Sequence, residues 1–111
     1  MIPTDQTNFA NDLQACIASI LEVPIETVPA AREDLNWLRM LADDLHEAHG
    51  VMLLLVDSLP AWFKGYVIGH GMSKRGDAHN VVMRRGELAH DPHPSRVGLD
   101  TLRNYVILVR C

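Results

Sequence analysis

Cysteine is scarce in this chain: Cys16 and Cys111 are the only two among 111 residues, too few for the disulfide framework of a small secreted domain. Long apolar runs are missing too. The longest, Val51 to Val56, has six residues against the roughly 20 that a bilayer crossing needs, and the polar N-terminus carries no secretory signal. Positive charge is not in excess: ten Lys+Arg stand against fourteen Asp+Glu, a net charge of −4, which argues against broad nucleic-acid or anionic-membrane binding. No repeat, low-complexity tract or Pro/Gly/Ser-rich linker divides the chain. What is present is ordinary globular usage, 48% apolar and 22% charged, enough for one domain with its own core. The expectation is a cytoplasmic monomer or small oligomer without a cofactor.

The first half reads as helical. Leu13, Cys16, Ile17, Ile20 and Leu21 recur at spacings of three and four, one face of a short helix. Pro24 and Pro29 bracket a single turn. A second helix is predicted from about Ala31 to Ala48, with Leu35, Leu38, Leu41 or Ala42, Leu45 and Ala48 as its stripe and Gly50 just past its end. The period then changes. Val51–Val56, Tyr66–Gly69, His79–Met83 and Tyr105–Val109 are strand candidates rich in β-branched and aromatic residues. Gly76-Asp77 and Arg85-Gly86 supply turn chemistry for antiparallel hairpins. Helices followed by strands make an α+β domain, a helical layer on one antiparallel sheet.

Each polar residue that stands out has a structural role open to it. Asp12 is a good helix N-cap. His79 opens a strand, where a histidine is most often hydrogen-bonded or on the surface, and Asp91-Pro92 is a turn starter. Cys16 lies on the apolar stripe, where it reads as a small buried hydrophobe. His90 and His93 with Asp91 or Asp12 do not form a definite zinc ligand set. His46-Glu47-Ala48-His49 is one residue short of the spacing that aims two imidazoles at one ion, so no metal site is expected. Trp37 falls on the core or its rim. Trp62 and Phe63 are placed in the core in preference to a cleft wall or partner anchor.

Two segments taken together resemble a family. Asn11-Asp12-Leu13-Gln14-Ala15-Cys16-Ile17-Ala18-Ser19-Ile20-Leu21, followed by Val23-Pro24-Ile25-Glu26-Thr27-Val28-Pro29, is similar to the opening of small papain-like cysteine peptidases of bacteria and phages. Ala78-His79-Asn80-Val81-Val82-Met83, then Gly86-Glu87-Leu88-Ala89-His90-Asp91-Pro92-His93-Pro94-Ser95 and Gly98-Leu99, resembles their second half. More distantly the layout is similar to the peptidases that remove double-glycine leaders. The resemblance implies a papain-like cysteine peptidase fold. A thiol at a helix N-terminus would be the nucleophile, Gln6 would stand at the oxyanion position, His79 would be the base, and Asp91 its orienting carboxylate.

The nucleophile position departs from the pattern, because Asp12 stands where the resemblance implies a cysteine. A carboxylate is a poor acyl acceptor for amide cleavage, and beside His79 it favours imidazolium over the neutral base. The implied function is a peptidase-fold protein that has lost its thiol and binds a peptide or protein partner in the degenerate cleft. The alternative is an active cysteine hydrolase in which Cys16, one turn and about 6 Å further along the helix, replaces it. A third reading makes Asp12 a substitution in an otherwise working enzyme.

Overall fold

The computed structural model describes residues 1–8 and 10–111; Phe9, in the segment leading to the first helix, lies outside the described residues. Helix α1 spans Asp12–Leu21, a one-turn 3-10 segment Ile25–Thr27, and helix α2 Trp37–His49. Five strands follow: β1 Val51–Val56, β2 Tyr66–Ser73, β3 Ala78–Arg84, β4 Glu87–His90 and β5 Leu99–Arg110. They form one antiparallel sheet in the order β1-β5-β2-β3-β4. The molecule is an α+β domain, as the change of hydrophobic period predicts. No described helix is long and apolar enough to cross a membrane.

Both helices lie against one face of the sheet, α1 on β2 and β3 and α2 on β1. The core between them joins Cys16, Ile17 and Leu21 of α1 with Leu41 and Leu45 of α2. Val51, Leu53, Ile68, Val82 and Val106 complete it from the sheet. Strand alternation sends Met52, Leu54 and Val109 to the opposite, exposed face. Gly50 closes α2 in the left-handed conformation, its N–H bonded to the His46 carbonyl at 2.8 Å. The β3–β4 hairpin turns on Arg85 and Gly86, both with positive φ (54° and 79°), the geometry that matches the twist of tightly linked strands.

The structure corrects several expectations. Helix α2 begins at Trp37, not Ala31. Asp34 instead builds a turn, accepting the Asn36 N–H on its side chain and the Trp37 N–H on its carbonyl, so Leu35 is fully exposed. Ala48 is also on the surface, since the buried stripe ends at Leu45. Trp62 is 75% exposed beside half-buried Phe63, outside the core. Strand β4, four residues long, has no counterpart among the predicted strands, and β5 starts at Leu99, six residues before the predicted Tyr105.

Gly71 fixes how β2 meets β5. A Cβ at this position would stand 1.9 Å from the Thr101 carbonyl oxygen, at the irregularity where the pairing register shifts between His70 and Gly71. The obstacle is backbone, which yields only if the two strands separate. Gly71→Ala is therefore expected to lower stability by about 2 kcal/mol or more, measured by urea denaturation. An unchanged midpoint would show that the strands separate freely here.

Candidate functional site

The N-terminus of α1 meets β3 at residues that the β4 pairing, confined to Val82–Arg84 of β3, leaves uncovered. Asn11 ends the preceding loop by accepting the Thr7 and Asn8 N–H groups on its side chain. Asp12 is the first helical residue, where its negative charge suits the helix dipole. It does not cap α1, contrary to the role open to it in the sequence: it lies inside the helix, and the N-cap residue, Asn11, makes no side-chain cap bond. Its carboxylate reaches across to β3. Oδ2 accepts the Asn80 backbone N–H at 2.7 Å and the Asn80 side-chain amide at 3.2 Å, and lies 3.0 Å from His79 Nδ1.

On the other side of the ring, His79 Nε2 is 2.7 Å from Asp91 Oδ1. Asp91 is buried just beyond β4, and its remaining bonds come from backbone. The His93 N–H is donated to Oδ1 at 2.9 Å and the Gly98 N–H to Oδ2 at 2.8 Å. The loop that carries it is tied to the N-terminal segment. Arg96 donates to both oxygens of Asp5 (2.6 and 2.8 Å) and to the Asp91 carbonyl, and His90 Nε2 lies 3.0 Å from the Thr4 carbonyl. The His93 ring stands edge-on to His79 at 6.1 Å between centroids.

Asp12, His79 and Asp91 thus form one line of carboxylate, imidazole, carboxylate. Burial alone would push the His79 pKa down, but its bonds to Asp12 and Asp91 outweigh burial and raise it. Burial works to raise both carboxylates as well. Bonds from His79 and Asn80 hold Asp12 below the ordinary range, and bonds from His79, His93 and Gly98 do the same for Asp91. The stable proton arrangement is an imidazolium that donates both N–H groups between two carboxylates. A ring in that state has no lone pair with which to accept a proton.

The other two candidates stand apart from this line. Gln6 donates its backbone N–H to the Pro92 carbonyl at 3.1 Å, which sets it beside the Asp91 loop. Its side-chain amide is turned to the Asn8 carbonyl at 2.9 Å, and its Oε1 is buried without a partner among the described residues. Cys16 is fully buried in the core, and burial, with Asp12 and Asp91 nearby, pushes its thiol well above the ordinary value. That is the reverse of an activated thiol. Cys111 is exposed. Among the described residues no group of three or more His, Cys, Asp and Glu is placed to hold a metal ion.

Asn80 is the site residue that the sequence reading passed over. Its only signal was adjacency to His79, because a backbone N–H carries no mark in the sequence. Comparison of the chain with protein-family models, with curated proteins and with solved structures finds no match.

Proposed function

We propose that this chain is a papain-like peptidase-fold protein of bacterial or phage type, with Asp12 in the place of the thiol nucleophile. Its cleft binds a peptide or protein partner and does not cleave it. The observation that carries this reading is the alignment of Asp12, His79 and Asp91 through the two nitrogens of one ring. Nucleophile, base and orienting carboxylate need that order whatever the fold that presents them. Two features favour binding over catalysis. A carboxylate at the attacking position is a weak nucleophile toward amides, and it converts the neighbouring imidazole from a base into a cation. Cys16, the alternative nucleophile, is enclosed by core side chains.

Alkylation by iodoacetamide tests the reading, in a Cys111→Ser background so that the exposed terminal thiol is silent. A thiol at a helix N-terminus beside a histidine has its pKa drawn down from about 8.5 to 7 or lower, which at pH 6 multiplies the reactive thiolate roughly 30-fold. Asp12→Cys should therefore be alkylated at pH 6 several-fold faster than Asp12→Cys/His79→Ala, which keeps the helix N-terminus but loses the ring's share of that shift, while Cys16 reacts only after denaturation. Equal rates in the two variants would overturn the assignment of the cleft. Rapid labelling of Cys16 in the native protein, slowed by His79→Ala, would establish the hydrolase in its place. Binding itself is read from amide shifts of His79 and Asn80 on adding a pool of blocked tetrapeptides; no shift at millimolar peptide would remove the binding half.

A further inference from the structure

The donors around Asp12 converge on one of its two oxygens. The Asn80 backbone N–H at 2.7 Å, the Asn80 side-chain amide at 3.2 Å and His79 Nδ1 at 3.0 Å all meet Oδ2. Among the described residues no donor reaches Oδ1. The Asp12 side chain is 14% exposed, against 3% for His79 and 0% for Asp91. The line of three groups therefore meets solvent at Asp12, and with Oδ2 ringed by donors, Oδ1 is the oxygen left to meet a ligand. Its carboxyl is held below the ordinary range, so it is an anion at neutral pH.

Asn80 is itself fixed. It stands in a polar row with His70 and Asn104 across β3, β2 and β5. Two residues further along the same strands the row is Ile68, Val82 and Val106, apolar and buried. His70 Nδ1 lies 3.0 Å from the Asn80 side-chain oxygen. An amide oxygen only accepts, so His70 donates to it and the Asn80 NH2 group is left turned toward Asp12. Asn80 also borders an apolar groove lined by Leu13, Leu38 and Leu53, with Trp37 and Leu55, both partly exposed, beside it. An uncharged alkyl chain suits that lining.

We propose that Asp12, His79 and Asp91 hydrolyse a primary alkyl halide, with Asp12 as the covalent nucleophile. A carboxylate fails against an amide because the amine leaves badly. A halide leaves as a stable anion, and the product is an ester that water can cleave. In the first step Asp12 Oδ1 attacks the saturated carbon. A C–O bond forms, and the halide departs with the electron pair of the broken carbon–halogen bond. Asp12 thereby loses its charge. The imidazolium, now beside a neutral ester, releases its Nδ1 proton to solvent, while Asp91 keeps the Nε2–H bond. In the second step Nδ1 takes a proton from water, whose oxygen attacks the Asp12 carboxyl carbon. Charge develops on Oδ2, where both Asn80 donors already point. The intermediate expels the alcohol, which carries the former Oδ1 and takes the Nδ1 proton. The carboxylic acid left on Asp12 returns its proton to the ring. One alkyl halide and one water give one alcohol, one halide ion and one proton. This chemistry needs neither a bound peptide nor peptidase ancestry.

The test adds n-butyl bromide, in less than equimolar amount, to the Cys111→Ser chain in heavy-oxygen water. One turnover should leave heavy oxygen in the Asp12 carboxylate and ordinary oxygen in the butanol, both read by mass spectrometry. Bromide released should equal butanol formed. In His79→Ala the butyl ester should accumulate on Asp12, because loss of a general base slows the second step about a hundredfold or more. Asn80→Ala should slow that step about tenfold or more and leave the first release of bromide undiminished. Heavy oxygen in the butanol and none in Asp12 would mean direct attack by water and overturn the nucleophile. Bromide release no faster than without protein would overturn the activity, and an ester that persists in the Cys111→Ser parent would overturn the hydrolysis. These three outcomes are read without the His79 and Asn80 variants, so they decide the matter even where those do not fold. Fast alkylation of Asp12→Cys without halide turnover removes the dehalogenation alone, and the converse removes the peptidase-like reading alone.

Discussion

His79→Ala is expected to remove about 3 kcal/mol of stability at pH 6, read from urea denaturation. The ring is the charge that stands between Asp12 and Asp91, whose side chains are 14% and 0% exposed. Without it, two buried carboxylates face one another. Each keeps backbone partners, Asn80 for Asp12 and His93 and Gly98 for Asp91, which places the loss at the lower end of the range for broken buried pairs. The loss has a pH signature. The folded pKa of His79 is raised, so the stability it contributes is fully present below its unfolded value of about 6.5 and is lost as pH rises through the folded one. The carboxylates are lowered, so their contribution is present above about 3.9 and is lost as pH falls through the folded values. The difference between parent and His79→Ala should therefore be widest between about pH 4 and 6.5 and narrow on both sides. A difference that stays level from pH 3 to 9 would show that the ring acts by packing alone and that no charge is exchanged along the line.

Much of this arrangement could be read from the sequence because it follows from period and turn chemistry. Val51–Val56 is predicted and observed with the same limits, since a run of apolar residues between Gly50 and Asp57 has no competing helical period. Helix α1 is found within one residue of its start. The errors fall where local chemistry overrode pattern. Asp34 turned the chain before α2, because its side chain offered the backbone a bond that the helix did not. Strand β4 and the first half of β5 carry exposed polar residues whose pairing is set by neighbours, not by their own propensity. At the site, Asp12, His79 and Asp91 could be picked out as side chains. The contacts that hold them could not: the Asn80 and Gly98 N–H groups are backbone, and the row of His70, Asn80 and Asn104 depends on a three-strand register that no single segment encodes.

Asp91→Ala should have the larger effect of the two ring partners, about 4 kcal/mol. Three donors lose their acceptor at once: the His79 ring, the His93 N–H and the Gly98 N–H. Of these, His79 and Gly98 are buried, so water cannot replace the carboxylate without opening the loop between β4 and β5. Asp91→Asn keeps the volume and one oxygen but turns an NH2 group toward a donor, and should lose roughly half as much. Limited proteolysis should then cut the loop at residues 93–97 faster in Asp91→Ala than in the parent, because the two bonds that tie its ends to the buried carboxylate, from the His93 and Gly98 N–H groups, are lost. The acid limb of stability should flatten as well, since one of the two carboxylates whose lowered pKa makes stability fall with acid is gone. In the Asp12→Cys background the same substitution should slow alkylation less than His79→Ala does, because a carboxylate behind the ring orients and charges it, whereas the ring itself pairs with the thiolate. No slowing by Asp91→Ala would mean that Asp91 serves only to shape the loop, and the line of three groups would then reduce to a pair.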